Sequence, residues 1–180
     1  MYTISGLIYL QDYVSQPHHD WLLDQIDAQP WDATLKRRVQ HYGYRYDYRA
    51  RQVTTEMYLG PLPGWLGRIG RQLHEDGLIE QTPDQVIINE YLPGQGIAPH
   101  VDCEPCFGHR IFSLSLGGAA TMEFTRRDQD KVALTLAPRS LVMMYGEARY
   151  DWKHGIPARK SDDGIPRERR VSLTLRRVTL

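Results

Sequence analysis

The sequence has few of the features that mark specialised classes of protein. Its net charge is zero, with 22 Lys and Arg against 22 Asp and Glu, which excludes an overall attraction to nucleic acid or to a membrane surface. Two cysteines are too few for the disulfide framework of a small secreted domain. Apolar runs stay below the roughly 18 residues that span a bilayer, and the first residues lack the basic start of a signal peptide. We therefore expect a cytoplasmic protein with no membrane partner.

The 180 residues have a globular composition, with 41% hydrophobic and 24% charged residues. Apolar periodicity predicts helices over residues 18–28 and 64–79. After residue 85 the pattern changes to short strands separated by turns, at residues 86–92, 111–116, 121–125, 131–136, 140–145 and 170–178. We predict one α+β domain over residues 1–180, with helices in 1–84 and a jelly roll (double-stranded β-helix) in 85–180. We expect it to be a monomer.

The triplet His100-Val101-Asp102 has the spacing of a metal site. Residues i and i+2 of a strand point to the same side, so the imidazole and the carboxylate can bind one ion. His154 is a third candidate ligand, and two histidines with one carboxylate form the ligand set of non-heme Fe(II) oxygenases. The alternative is that His100 is a hydrogen-bonded strand residue and His154 a surface residue.

Polar residues on two predicted strands suit an anionic ligand. Arg170 and Arg176 lie six residues apart, so they face one side of the last strand together with Ser172. A guanidinium group pairs bidentately with a carboxylate, and two on one face suit a dicarboxylic acid. Asn89 and Tyr91 likewise point to one side of their strand. A solvent-facing strand with charged residues is the alternative.

Several motifs together resemble one family, the AlkB-like Fe(II)/2-oxoglutarate dioxygenases. They occur in the family's order over residues 85–178, and they are NEYLPGQGIAPHVD at 89–102, SLSLG at 113–117, GEAR at 146–149, HGI at 154–156 and RVSLTLR at 170–176. The sequence most resembles bacterial AlkB-like proteins and the catalytic domain of the eukaryotic homologue that acts on tRNA wobble uridine.

The resemblance implies roles for the residues in these motifs. The Fe(II) ligands would be His100, Asp102 and His154, and the 2-oxoglutarate site would comprise Asn89, Tyr91, Arg170, Ser172 and Arg176. Arg170 would pair with the carboxylate far from the metal, and Arg176 would lie nearer the carboxylate that chelates it. Other members have Asn where this chain has Ser172. The implied reaction uses O₂ to oxidise a substrate C–H bond while 2-oxoglutarate becomes succinate and CO₂.

Residues 35–51 (LKRRVQHYGYRYDYRAR), which we name the basic segment, indicate nucleic acid as the partner. Six basic residues accompany one acid, and alternation predicts tyrosines on one side of a strand, at Tyr42, Tyr44, Tyr46 and Tyr48. Phosphate contacts and base stacking use these residue types. An edge hairpin whose tyrosines cover the core is the alternative. By resemblance, the segment matches the family's nucleotide-recognition lid, and Arg37 and Tyr42 would contact substrate.

Glu104 bears on the choice of substrate. In AlkB-like repair enzymes an acid at this position accepts a hydrogen bond from the exocyclic amine of a flipped, alkylated base. The resemblance therefore favours oxidative dealkylation of N1-methyladenine, N3-methylcytosine or etheno adducts in DNA or RNA. A hydroxylase of modified wobble uridine in tRNA is the alternative. A catalytically silent nucleic-acid-binding module is the third hypothesis.

Cys103 and Cys106 form a C-x₂-C motif directly after Asp102. A structural zinc site has four ligands, and the chain has no second cysteine pair to complete one. We expect two thiols with no metal-binding or catalytic role.

Overall fold

The structure is a computed structural model that describes residues 4–180, which form three α-helices and twelve β-strands. The helices are α1 (Gln16–Asp27), α2 (Gly64–Glu75) and α3 (Gly146–Tyr150). The strands are β1 (Leu7–Leu10), β2 (Val39–Tyr42), β3 (Gln85–Tyr91), β4 (Ile97–His100), β5 (Ile111–Gly117), β6 (Ala120–Thr125), β7 (Val132–Leu136), β8 (Leu141–Met144), β9 (Lys153–Ile156), β10 (Ser161–Asp162), β11 (Ile165–Pro166) and β12 (Arg170–Arg176). Within these residues no helix is long and apolar enough to cross a membrane.

In the described part of the chain, the strands form two antiparallel sheets and a two-stranded ribbon. The larger sheet has the order β1-β8-β5-β12-β3-β2, the smaller has the order β4-β9-β6-β7, and β10 pairs with β11. The two sheets face each other across an apolar cluster to which both contribute, with Ile111 and Met144 from the larger sheet and Phe124 from the smaller. Two facing antiparallel sheets with helices outside confirm the predicted α+β jelly roll.

Helix α1 packs on the outer face of the larger sheet. It begins where the Ser15 side chain accepts a hydrogen bond from the amide of His18 at 3.3 Å, which satisfies one of the free N–H groups of the first turn. Leu22 and Ile26, one turn apart, are fully buried in the core beneath the helix. The helix therefore covers the sheet with a narrow apolar stripe, as its sequence predicts.

Helix α2 packs on the same face and is shorter than the predicted 64–79. Its buried residues Leu66, Ile69 and Leu73 form one stripe, which confirms the predicted periodicity. The helix ends at Glu75 because Gly77 adopts a φ of 70° and donates its N–H to the carbonyl of His74 at 3.0 Å. That left-handed conformation is favourable for glycine and closes the helix.

The strand β12 has one apolar and one polar face, and these faces have different surroundings. Its apolar residues pack toward the helices, and they are Val171, Leu173 and Leu175. Its polar residues face the smaller sheet and line a cavity, and they are Arg170, Ser172, Thr174 and Arg176. The solvent-facing alternative for this strand is therefore wrong.

The basic segment is not one continuous strand. β2 ends at Tyr42, because Gly43 has a φ of 76° and approaches the Asp84 carbonyl so closely that a Cβ would lie 1.8 Å from that oxygen. Beyond it, isolated bridges join Tyr44 to Tyr58 and Asp47 to Gln52. The prediction that the four tyrosines share one face is wrong, because the alternation holds only while the backbone stays extended.

Candidate active site

The structure brings the three predicted metal ligands together. His100 is the last residue of β4 and pairs with His154 on the neighbouring strand β9. Asp102 lies beyond the end of β4, so the alternation of a strand does not place it as we predicted. Its Oδ1 is nevertheless 3.3 Å from His100 Nε2 and 3.9 Å from His154 Nε2. One ligand atom from each residue lies within 4.8 Å of the others, an arrangement that can hold one metal ion.

The protonation states of these residues favour metal binding. His100 Nδ1 lies 2.8 Å from the Ala98 carbonyl, which can only accept, so Nδ1 carries a proton and Nε2 is the atom that faces Asp102 and the metal position. Burial lowers the pKa of His154 to about 4, which leaves a neutral imidazole. Burial alone would raise the pKa of Asp102, but hydrogen bonding to His100 and the charge of Arg176 outweigh it and hold the pKa below its ordinary value.

A cavity of about 340 Å³ surrounds this cluster. Its floor is the polar inner face of β3, β5 and β12, and its lining includes each residue that the resemblance assigns to 2-oxoglutarate, namely Asn89, Tyr91, Arg170, Ser172 and Arg176. The strand register explains the grouping, since Arg170 is opposite Tyr91 and Ser172 is opposite Asn89. Residues far apart in sequence thus form one polar surface beside the metal ligands.

Two buried arginines leave this surface with unpaired hydrogen-bond donors. Arg170 Nη2 donates to Ser115 Oγ at 2.9 Å, and Arg176 Nε donates to Gln85 Oε1 at 2.9 Å. Within residues 4–180, Arg170 Nε and Arg176 Nη2 are buried and have no hydrogen-bond partner. Arg176 is the nearer to the metal ligands, with Nη1 3.5 Å from Asp102 Oδ2. Unpaired buried donors of this kind fit an anionic ligand such as a dicarboxylate.

The other residues of the anion site are held by neighbours. Asn89 Oδ1 accepts a hydrogen bond from Arg37 Nε at 2.9 Å, so its amide nitrogen remains available as a donor. The oxygen of Ser172 lies 3.2 Å from that of Ser113. The Tyr91 ring lies under the Arg170 guanidinium at 5.5 Å, and burial raises the pKa of its phenol, which stays protonated.

The predicted substrate residues divide into two groups. Arg37 lines the cavity and lies over the Tyr48 ring at 5.7 Å. Tyr42 does not line it, because its hydroxyl donates to Gln40 Oε1 at 2.8 Å and its ring packs on Trp65. Glu104 is an exposed turn residue and is also absent from the described lining.

Three cavity residues were predicted only as members of the basic segment, and two residues that support the anion site had no functional prediction. Tyr46, Tyr48 and Arg51 close one side of the cavity, and Arg51 Nη2 donates to the Val101 carbonyl at 3.0 Å. Ser115 and Gln85 support the two arginines, as described above. The strand pairing could have identified Ser115 and Gln85, because each is paired with a polar residue of β12, Ser115 with Ser172 and Gln85 with Arg176. Nothing local in the sequence predicted the turn that brings Arg51 to the cavity.

Cys103 and Cys106 are joined in a disulfide, contrary to the expectation of two thiols. The turn between them brings their Cα atoms to 5.3 Å, within reach of a disulfide. Their sulfurs lie 3.3 and 3.5 Å from the carbonyl oxygen of Arg51, so the disulfide contacts the basic segment.

Comparisons with known proteins agree with this geometry. The sequence profile of the 2OG-Fe(II) oxygenase superfamily matches residues 6–176. The chain is 39% identical over 204 residues to the "Alkylated DNA repair protein ALKBH8 homolog" of Arabidopsis thaliana, an alignment that covers 98% of this chain and 59% of that protein. It is 42% identical over 165 residues to the "tRNA (carboxymethyluridine(34)-5-O)-methyltransferase alkbh8" of Xenopus tropicalis, covering 87% of this chain and 26% of that protein.

A solved structure shares the fold. The structure of OsALKBH1 superimposes with a TM-score of 0.74 over 98% of this chain and 99% of that chain, at 16% identity. The chain spans between about a quarter and three fifths of the length of the two curated relatives named above.

Proposed function

We propose that this chain, which belongs to the 2OG-Fe(II) oxygenase superfamily and within it to the AlkB-like family, hydroxylates a modified uridine in tRNA. Its family makes it a dioxygenase that uses Fe(II), 2-oxoglutarate and O₂. When bound, these groups supply the oxidant for a substrate C–H bond. His100, Asp102 and His154 hold the metal in this proposal, which rests on the convergence of their ligand atoms within 4.8 Å of one another.

The anion site is assigned to 2-oxoglutarate. Arg170 pairs with the carboxylate far from the metal through its free Nε, and Arg176 lies beside the carboxylate nearest Asp102. Asn89, Tyr91 and Ser172 complete the polar surface around the cosubstrate. The fit depends on unpaired buried donors, since each would lack a partner without an anion.

Our choice of an anionic substrate rests on the charge of the cavity. Four arginines line it, Arg37, Arg51, Arg170 and Arg176, and Asp102 is the one acidic residue in its described lining. The two charges of Fe(II) and the two of 2-oxoglutarate cancel, so the loaded cavity stays positive. A base alkylated on a ring nitrogen is cationic and would be repelled, whereas a uridine with a carboxylate substituent would be attracted.

One relative supports this choice. The frog protein is named for carboxymethyluridine 34 of tRNA, and 87% of this chain aligns with it. A carboxymethyl group carries the negative charge that the cavity favours, and its methylene carries C–H bonds for hydroxylation. The aromatic residues Tyr46 and Tyr48, with the cations of the basic segment, suit a nucleotide at the cavity entrance.

Oxidative dealkylation of N1-methyladenine, N3-methylcytosine or etheno bases is the second candidate. Its specific support is the Arabidopsis relative, which is named for the repair of alkylated DNA. The sequence argument for it depended on Glu104, and that side chain is exposed and outside the described lining of the cavity. We therefore place dealkylation second.

Mass spectrometry of two RNA hairpins separates these candidates. One hairpin carries 5-carboxymethyluridine in its loop and the other carries N1-methyladenine at the same position. Each is incubated with Fe(II), 2-oxoglutarate and the protein, with His100→Ala as the inactive control. Gain of one oxygen on the uridine hairpin supports the proposal. Loss of the methyl group from the adenine hairpin alone overturns it in favour of dealkylation, and succinate formation with both RNAs unchanged overturns both candidates.

Arg51→Gln tests the role of charge. Arg51 is exposed, so its attraction for a substrate carboxylate is on the order of 1 kcal/mol, and its loss should lower kcat/KM roughly fivefold. The methyl ester of the same uridine has no charge and should lose little. Arg45→Gln is the matched control, because Arg45 belongs to the basic segment but lies outside the described cavity lining. If Arg51→Gln lowers kcat/KM equally for the carboxylate substrate and for its methyl ester, the charge argument is wrong.

A further inference from the structure

The motif Gly146-Glu147-Ala148-Arg149 has no role in the function described so far. It forms α3, the short helix that directly precedes β9 and its metal ligand His154. Arg149 is 2% exposed, although its helix lies near the protein surface and the neighbouring Glu147 is exposed. A guanidinium group is taken out of water at a considerable cost unless its donors are satisfied.

The donors of Arg149 are satisfied by main-chain carbonyls from one segment, residues 102–108. Nη1 donates to the Asp102 carbonyl at 2.9 Å, and Nη2 donates to the carbonyls of Cys103 at 3.3 Å and Phe107 at 3.4 Å. Nε donates to the Gly108 carbonyl at 3.4 Å. One side chain thus contacts four carbonyls of the turn that begins at a metal ligand.

These hydrogen bonds hold a metal ligand that the sheet does not hold. Asp102 lies outside the strands of the described part of the chain, because β4 ends at His100. His154 is held by β9, five residues after Arg149. The guanidinium therefore joins the segment that carries Asp102 to the helix that leads into His154, two parts of the chain separated by about 50 residues.

We propose that Arg149 is a positioning residue that sets Asp102 relative to His154 and thereby sets the affinity and geometry of the metal site. The inference rests on the proposed function in taking these residues as metal ligands. Arg149 does not itself line the cavity and touches none of the metal ligands' donor atoms, so it acts through the backbone carbonyls of residues 102–108, two of which belong to the lining residues Asp102 and Cys103.

Titration of the metal-free protein with Co(II), followed by its visible absorption, tests the proposal without turnover. Arg149→Met keeps an unbranched side chain of similar length but removes all four hydrogen bonds. We expect roughly a 10- to 100-fold loss of Co(II) affinity and an altered absorption band, as is usual when a group that orients a ligand is removed. Arg149→Lys keeps the charge with fewer donors, and its affinity should be intermediate.

Arg167→Met is the matched control. Arg167 is also a buried arginine, and it donates to the Asp162 carboxylate and to the Pro157 carbonyl rather than to residues 102–108. Its loss should lower the melting temperature while the Co(II) affinity and absorption band stay as in the wild type. Circular dichroism of each metal-free variant shows whether it is folded.

The outcomes separate this inference from the proposed function. Weaker Co(II) binding in folded Arg149→Met, with Arg167→Met unchanged, supports it. Wild-type affinity and an unchanged absorption band in Arg149→Met overturn it, and if that variant does not fold, wild-type binding by Arg149→Lys overturns it. If His154→Ala binds Co(II) as tightly as the wild type does, the proposed metal site itself is wrong. That result would refute the proposed function and not the role of Arg149.

Discussion

The replacement Arg170→Met tests the anion site most directly. Arg170 is 2% exposed, and one edge of its guanidinium is occupied by the hydrogen bond to Ser115. Its Nε is buried and has no hydrogen-bond partner among residues 4–180, so a donor of this buried cation is available to an anion. Burial accordingly lowers the pKa of Arg170 to about 10, which still leaves it charged at neutral pH.

The expected effects on binding and on stability have opposite signs. Removal of one partner from a buried, hydrogen-bonded charge pair costs about 2–5 kcal/mol of binding free energy. We take about 3 kcal/mol, which corresponds to a loss of 2-oxoglutarate affinity of more than roughly 100-fold. Without the cosubstrate, replacing an unpaired buried cation by an apolar side chain of similar length is neutral or stabilising. The melting temperature of the ligand-free variant should therefore not fall.

Calorimetric titration of the Mn(II)-loaded protein with 2-oxoglutarate measures the affinity without turnover. Arg169→Met is the matched control, since the adjacent Arg169 pairs with Glu90 and Asp27 instead of lining the cavity. That control should lose stability and keep its affinity for 2-oxoglutarate. An affinity of Arg170→Met within about threefold of the wild type would refute the assignment of Arg170 to the cosubstrate.

Two further predictions concern pH and redox state. Burial lowers the pKa of His41 to about 4, so between pH 6.5 and 4 the unfolded chain binds a proton that the folded chain does not. The free energy of unfolding should fall by at most about 3 kcal/mol per such histidine as the pH drops through that range. Urea unfolding at several pH values checks this, and an unchanged pH dependence in His41→Asn would contradict it. Reduction of the Cys103–Cys106 disulfide, which closes a four-residue loop, should cost about 2 kcal/mol. Urea unfolding with and without reductant measures it, and the double serine variant should not respond to reductant.

Local patterns in the sequence predicted α1, α2 and six strands (β3, β5, β6, β7, β8 and β12), but not α3 or β9. The alternation of Val171, Leu173 and Leu175 with polar residues predicted both the strand β12 and its two faces, because side chains of a strand alternate sides by covalent geometry. The apolar stripe of α2 was equally visible. The metal ligands could be named from the family resemblance of the motifs that contain them, and the structure brings all three together.

Local patterns did not predict which side chains the loops and turns bring to the cavity. Tyr42 and Glu104 were predicted to contact substrate, yet neither lines the cavity: Tyr42, at the end of β2, packs on Trp65, and Glu104 lies exposed in the turn after Asp102. A separate turn over residues 48–51 brings Arg51 to the cavity, and the turn after Asp102 closes the Cys103–Cys106 disulfide. Such turns depend on distant contacts, including the approach of Gly43 to the backbone of residue 84, that no local pattern reports.

The sequence by itself determined which residues alternate, which stripe is apolar and in which order the motifs occur, because these properties follow from the covalent chain and its local sterics. Only the tertiary structure decided the charge of the cavity and the role open to Arg149. Both depend on groups more than 40 residues apart, such as Arg149 and the Asp102 carbonyl, coming within hydrogen-bond distance. Burial then gives these contacts their strength, since an unpaired donor or charge is costly only where water is excluded.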